Sequence, residues 1–386
     1  MKETKKHSKL ALVLSGGGAR AAYQVGVLRA IAEILPKKSA NPFPVIVGTS
    51  AGAINTAALA IYGSHFADAV YRLHKIWHNF HVHHVFRSDF IGIMKSGSTW
   101  LLAFVFGGLG NHNPASFLDR APLLKLLKKY LPCERINDSV KQGVIESIGV
   151  TASAYGAGRS VVFYQTSADV VPWVRSRRVG IHSKISIDHL MASSAIPFVF
   201  SAIRLDNDYY GDGTMRQIAP LSPAVHMGAD KILVVSVNNR RPENPETNEE
   251  PSYPSLAEIG GHILNSIFID SLEADLERLR RINKTIGKIS SENPDEQDTA
   301  LRNVDVMVIS PSEDLQEISY RYVKELPLIV RFFLRGIGAL RNQKSSVLSY
   351  LLFEKGYCRA LINLGYNDAM KRKDELLAFM EKNPAE

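Results

Sequence analysis

The sequence predicts an α/β protein whose mainly parallel sheet is covered by helices on both faces. Three observations lead to this expectation. Short runs that are apolar throughout alternate with helical patterns as far as residue 310. The first two runs each end in a glycine-bearing turn that opens a helix, and strand signals stop after Pro311. A strand buried on both sides shows no polar alternation, and parallel neighbours need helical crossovers.

Leu10–Leu14 reads as a first buried strand, and Ala21–Ile34 follows with helical spacing at Val25, Leu28 and Ile31. Pro44–Val47 is a second short apolar run, and Ala51–Tyr62 is an Ala-rich helix. Further strands are expected at Ile148–Ala154, Val161–Gln165, Ile232–Val237 and Val304–Ile309, with a long helix over Leu256–Ile282. Asn239–Pro254, with four prolines, and the polar Ser290–Thr299 read as surface loops. These features divide the chain into an α/β domain over residues 8–311 and a helical C-terminal extension over 312–386, which contains a basic apolar segment at Lys324–Lys344.

Composition narrows the class of protein. Of 386 residues, 45% are hydrophobic and 22% charged, which is enough to bury a sizeable core. The net charge of +8 suits an anionic partner such as nucleic acid or an acidic membrane surface. The only cysteines, Cys133 and Cys358, have no metal-ligand spacing and give no disulfide framework. Lys2, Lys5, Lys6 and Lys9 before Leu10 imitate a secretory signal, but the five-residue apolar run ends in three glycines. No stretch reaches the roughly 18 apolar residues of a spanning helix. The longest, Trp100–Leu109, has ten residues, two of them glycine. A cytoplasmic protein, peripheral at a membrane, is the expectation.

Gly48-Thr49-Ser50-Ala51-Gly52 fits G-x-S-x-G and lies between a strand and a helix. A sharp strand-to-helix turn exposes a serine hydroxyl to substrate, and the helix N-terminus adds positive potential beside it. The small residues Gly48 and Gly52 let the chain turn tightly. Upstream, Ser15-Gly16-Gly17-Gly18-Ala19-Arg20 also joins a strand to a helix. Backbone N–H groups there lack helical partners and can hold an oxyanion. Gly16-x-Gly18-x-x-Ala21 also satisfies a dinucleotide fingerprint, yet the second strand ends in Val47-Gly48-Thr49-Ser50, without the required carboxylate.

A serine nucleophile needs a base. Asp212 in Tyr210-Gly211-Asp212-Gly213-Thr214 is one candidate, a carboxylate in a tight glycine turn that burial would tune toward neutrality. His226 is the alternative, as in a Ser–His–Asp α/β-hydrolase, provided the fold returns it to Ser50. His74 and His78, spaced i, i+4, have no Cys or carboxylate nearby to complete a metal site.

These three motifs, in this order, resemble the patatin-like phospholipase family, with Gly16–Arg20 matching its glycine-rich loop, Ser50 its serine and Asp212-Gly213 its aspartate motif. Ala192-Ser193-Ser194-Ala195-Ile196-Pro197 is similar to the family's A-S-x-A-x-P segment. The resemblance implies a three-layer α/β/α fold and lipid acyl hydrolysis by a Ser50–Asp212 dyad without histidine or metal. It implies an oxyanion hole at Gly16, Gly17 and Gly18, with Arg20, Gly48, Gly52 and Gly213 in support. Two residues depart from the pattern: Ala21 replaces the glycine after Arg20, and Thr214 adds bulk beside the base. The expected partner is a phospholipid or other acyl lipid, with peripheral contact at a membrane surface. No cofactor, metal or nucleic acid is expected. A non-catalytic lipid-surface protein is the alternative of a different class. Membrane contact is expected from Trp100–Phe106, flanked by Ser96-Gly97-Ser98 and Gly107-Gly108, or from Leu326–Leu334 followed by Arg335, Arg341 and Lys344.

Overall fold

A computed structural model describes residues 8–87, 118–197, 199–239, 256–292, 302–336, 338–340 and 346–381. Its strands are β1 (Leu10–Leu14), β2 (Val45–Thr49), β3 (Ser147–Ala154), β4 (Arg159–Thr166), β5 (Val174–Arg175), β6 (Arg178–His182), β7 (Ile203–Leu205), β8 (Asp208–Asp212), β9 (Lys231–Val235) and β10 (Asp305–Ile309). The helices before β9 are α1 (Ala22–Ile34), α2 (Ala51–Tyr62), α3 (Phe66–His78), α4 (Ala121–Tyr130), α5 (Glu134–Lys141), α6 (Ile187–Ser193) and α7 (Ser222–His226). Those after it are α8 (Leu256–Glu292), α9 (Leu315–Arg321), α10 (Leu328–Gly336), α11 (Ser346–Leu351), α12 (Lys355–Lys371) and α13 (Lys373–Glu381). The segment Trp100–Phe106, the loop residues 240–254 and 293–299, and Arg341 and Lys344 lie outside the described residues.

The fold is mixed α/β around a ten-stranded sheet ordered β10-β9-β1-β2-β3-β4-β6-β5. From β10 to β3 every neighbouring pair is parallel. Within β1, Leu10, Leu12 and Leu14 face one core, shared with α1, α2 and α3, while Ala11 and Val13 face a second, shared with α7 and α8. Both faces of the strand are therefore apolar, as the unbroken hydrophobic runs predict.

The far side of the sheet departs from the parallel expectation. β3 and β4 form an antiparallel hairpin, and the short strands β5 to β8 add further antiparallel pairs. These strands are too short and polar to read from periodicity. Their pairing matters for the site. β4 occupies one edge of β3 along its length, while the other edge is shared end to end: β2 pairs as far as Thr49 with Thr151, and β8 takes over at Asp212 with Ala152. That register brings the residue after Thr49 against Asp212.

The helices beyond Pro311 join the same core as α1, with Leu361 and Ile362 beside Leu28 and Ile31. α12 lies on α1 at glycine contacts. A Cβ at Gly26 would collide with the carbonyl oxygen of Ile362, and one at Gly365 with that of Tyr23. The Tyr23 hydroxyl donates to Asp368 Oδ2 at 3.1 Å and ties the two helices at the same place. Alanine normally favours a helix over glycine by about 1 kcal/mol. At Gly26 the sign should reverse: Gly26→Ala is expected to cost about 1–3 kcal/mol through overpacking, measured as a lower melting temperature. An unchanged or raised melting temperature would show that α12 is not seated this closely.

Candidate active site

Ser50 stands between β2 and α2 with φ 55° and ψ −128°, a left-handed conformation that non-glycine residues rarely adopt. Holding it there costs on the order of 1–3 kcal/mol, which the surrounding packing must offset. Close return of α2 onto the strands makes the turn possible. A Cβ at Gly48 would strike Thr56, and one at Gly52 would strike the carbonyl oxygen of Leu14. The Ser50 N–H donates to Ser193 Oγ at 2.8 Å, and Ser193 Oγ donates in turn to Thr151 O at 2.7 Å. The turn is thereby fixed from α6 as well as from its own helix.

The Ser50 hydroxyl donates to Asp212 Oδ2 at 2.6 Å. Asp212 ends β8, and its other oxygen, Oδ1, accepts from the Thr214 N–H at 3.0 Å and the Thr214 hydroxyl at 2.7 Å. Its backbone N–H donates to Ala195 O at 2.9 Å, so the 192–197 segment positions both members of the pair. The carboxyl is fully buried, and this burial pushes it up to about 6, against the pull of the Ser50 and Thr214 hydrogen bonds and the Arg120 charge. Arg120 is buried as well. Its guanidinium donates to Met191 O and Ser201 O, both at 2.6 Å, and burial lowers it to about 10, so it stays cationic at neutral pH.

Ser50 and Gly18 line one cavity. The rest of its wall is almost wholly apolar, built from Ile54 on α2, Leu73 and Trp77 on α3, Leu127 on α4, and Phe200 and Phe353. Gly16 instead faces a second, smaller cavity beside Thr49 and Thr214. Gly17 and Gly18 are buried, and Gly18 has φ 54°. Arg20 points inward, with 3% of its surface exposed, and donates to Ser349, Tyr350 and Asn238.

The structure does not bring the other candidates to Ser50. The ring of His226 stacks on Trp173, 4.5 Å between centroids, and Trp173 belongs to the core on the opposite sheet face from α2. Burial and the neighbouring Arg175, Arg178 and Arg302 lower His226 to about 4. His74 and His78 lie with ring centroids 5.1 Å apart, and no group of three or more His, Cys, Asp or Glu among the described residues is arranged to hold a metal. Cys133 and Cys358 are free and buried. Gly213 lies under the site, where a Cβ would strike the carbonyl oxygen of Thr151.

Two residues beside the pair make contacts that the sequence does not show. Thr214 adds bulk beside Asp212, and its hydroxyl and N–H also fix the orientation of the carboxyl. Arg120 carries no sequence signal, because nothing local marks an arginine whose partners are carbonyls about 70 residues away or more.

A serine hydroxyl bonded to a buried carboxylate thus stands at the wall of an apolar cavity in a mixed α/β fold. Residues 12–225 match the patatin-like phospholipase family, and the chain belongs to that family. No curated protein matches it significantly. Similar solved structures include VipD from Legionella pneumophila, at 13% identity and TM-score 0.34, with 96% of this chain and 67% of that one covered. Another is human GIVD cytosolic phospholipase A2 in complex with methyl gamma-linolenyl fluorophosphonate, at 11% identity and TM-score 0.41, with 97% and 59% covered. A third is the ExoU–SpcU heterodimer of Pseudomonas aeruginosa, at 15% identity and TM-score 0.29, with 97% and 77% covered. This chain thus spans only about three fifths of the human phospholipase's length.

The raised Asp212 carboxyl makes a stability prediction. An acid lifted by folding from 3.8 to about 6 binds more protons folded than unfolded in that window, so its burial costs stability as pH rises through it. Asp212→Asn keeps the shape and removes the charge. It is expected to be more stable than the parent by roughly 1–3 kcal/mol at pH 8 and equal near pH 4, read from melting temperatures across pH. A gap that does not change with pH would mean that the carboxyl is not held at this cost.

Proposed function

We propose that the protein is a lipid acyl-ester hydrolase of the phospholipase A or lysophospholipase type, using Ser50 as nucleophile and Asp212 as base. The observation that carries this reading is the 2.6 Å hydrogen bond from Ser50 Oγ to a fully buried carboxylate, with Ser50 facing an apolar cavity. The Ser50 oxygen attacks the ester carbonyl carbon as its proton passes to Asp212 Oδ2. The carbonyl oxygen becomes an oxyanion held by backbone N–H groups of Gly17 and Gly18 and by the positive end of α2. Collapse breaks the ester C–O bond, and Asp212 returns the proton to the departing alkoxide. Water then gives a proton to Asp212 and attacks the acyl-serine; collapse breaks the bond from the acyl carbon to Ser50 Oγ, and Asp212 returns the proton to Oγ as the fatty acid leaves.

A carboxyl near 6 suits this work, being ionised at neutral pH yet basic enough to take a proton in the transition state. The apolar wall favours the acyl chain by about 0.8 kcal/mol for each methylene buried, which selects long-chain esters over short ones. Ser50→Ala and Asp212→Asn are each expected to lower hydrolysis of a lysophospholipid by several orders of magnitude. For the parent, kcat/KM is expected to rise with pH through about 6 and then level off, because the base must be ionised. Covalent labelling by a fluorophosphonate probe should be confined to Ser50. An Asp212→Asn protein with full activity, or a His226→Ala protein that is folded and inactive, would overturn the assignment.

The same reading includes contact with an anionic lipid surface through α10. Leu326, Val330 and Leu334 turn inward, whereas Leu328 and Phe332, one turn apart, are each 76% exposed beside the exposed Arg335. Apolar side chains next to a cation on one helix face suit a surface of anionic head groups. Leu328→Ser with Phe332→Ser should weaken binding and hydrolysis of phosphatidylglycerol vesicles about tenfold or more, and leave a soluble ester untouched. Vesicle binding equal to the parent's would remove α10 from the proposal.

A further inference from the structure

We infer that Ser349 and Tyr350 of α11, far beyond the family match at residues 12–225, are positioning residues that set the shape of the Gly16–Gly18 loop. The inference rests on the reading of that loop as an oxyanion hole and names what holds it.

Three contacts reach the loop from α11. Arg20 leaves its last turn and directs its guanidinium at α11, where Nε and Nη2 both donate to Ser349 Oγ, at 2.9 and 2.7 Å. The Ser349 hydroxyl gives its own proton to Ser346 O at 2.7 Å, so both of its lone pairs are free to accept from Arg20. The Tyr350 ring lies under the guanidinium, 4.0 Å from centroid to Cζ, and its hydroxyl accepts from Nη1 at 3.3 Å. The same Nη1 donates to Asn238 Oδ1 at 3.2 Å, just beyond β9, which fastens the loop on its other side.

The third contact is through backbone. Gly18 has φ 54°, and a Cβ there would collide with the Tyr350 carbonyl oxygen. The α11 main chain therefore rests directly on the loop residue that shares the cavity with Ser50. All the side chains involved are buried, and a hydrogen bond to a charged group in such a place is worth more than one at the surface. α11 is itself fixed downstream. Phe353 joins the cavity wall, and Glu354 accepts from the Val82 N–H at 3.2 Å and meets His81 Nδ1 at 2.7 Å before α12 docks on α1.

A loop that donates to a developing oxyanion must hold its N–H groups to within a fraction of an ångström, and about 1 Å of misplacement costs on the order of a hundredfold in rate. Substrate binding in the apolar cavity does not depend on that alignment. Ser349→Ala should therefore lower kcat on a soluble p-nitrophenyl ester by about 10–100-fold while KM stays within about twofold. Tyr350→Phe, which keeps the ring and removes only the hydroxyl, should give a smaller loss of the same kind. By hydrogen exchange and mass spectrometry of the full chain, the peptide spanning Ser15–Ala22 should exchange about tenfold faster in Ser349→Ala, with exchange elsewhere in the sheet unchanged.

Unchanged exchange at Ser15–Ala22 in both variants overturns the inference, as does a loss that falls on KM with kcat kept. A parent protein that neither hydrolyses esters nor labels at Ser50 sinks the proposed function instead, and the exchange measurement then decides the clamp by itself.

Discussion

Burying the Asp212 carboxyl is the constraint on which the rest of the site depends. A carboxylate removed from water must be met by donors or lose its charge. Here the donors are the Ser50 hydroxyl on one oxygen and Thr214 on the other, with the Arg120 charge further off. Each donor is held by something else. Ser50 sits in a left-handed turn braced by Ser193, and Thr214 opens the short turn after β8. Strain, burial and a raised carboxyl are all destabilising by themselves. They persist because two cores enclose the sheet and leave the chain no alternative path.

The division of β3's edge between β2 and β8 is what makes the encounter of Ser50 and Asp212 possible. Residues 162 positions apart are brought within hydrogen-bond distance by strand register, and register is set by backbone pairing along the whole strand. The pair therefore inherits the rigidity of the sheet, while the wall of the cavity beside it comes from helices and is apolar. This separation lets the cavity vary in shape without disturbing the pair.

The C-terminal helices have a larger part in the site than their distance along the chain suggests. They contribute Phe353 to the cavity, Ser349 and Tyr350 to the surroundings of the glycine loop, and α12 to the face of α1. Arg20 links the two ends of the chain. Its inward course is set by Ser349, Tyr350 and Asn238.

Much of the fold was legible in the sequence, because strands buried on both faces must be written as unbroken apolar runs, and β1, β2, β9 and β10 were readable on that basis. The strand–glycine–helix turns at Gly16–Gly18 and Gly48–Gly52 were legible for a similar reason, since local sterics admit few other residues there. The order of the motifs further marked Ser50 and Asp212 as the pair to examine. Tertiary structure set Asp212 against Ser50 and His226 against Trp173, because such meetings depend on which sheet face and which strand edge a residue reaches. It alone made Thr214 a double donor, sent Arg20 inward to Ser349, and placed Arg120 near the carboxyl. Sequence patterns encode local backbone preference and burial, whereas these contacts join segments far apart in the chain, and only packing determines which of them meet.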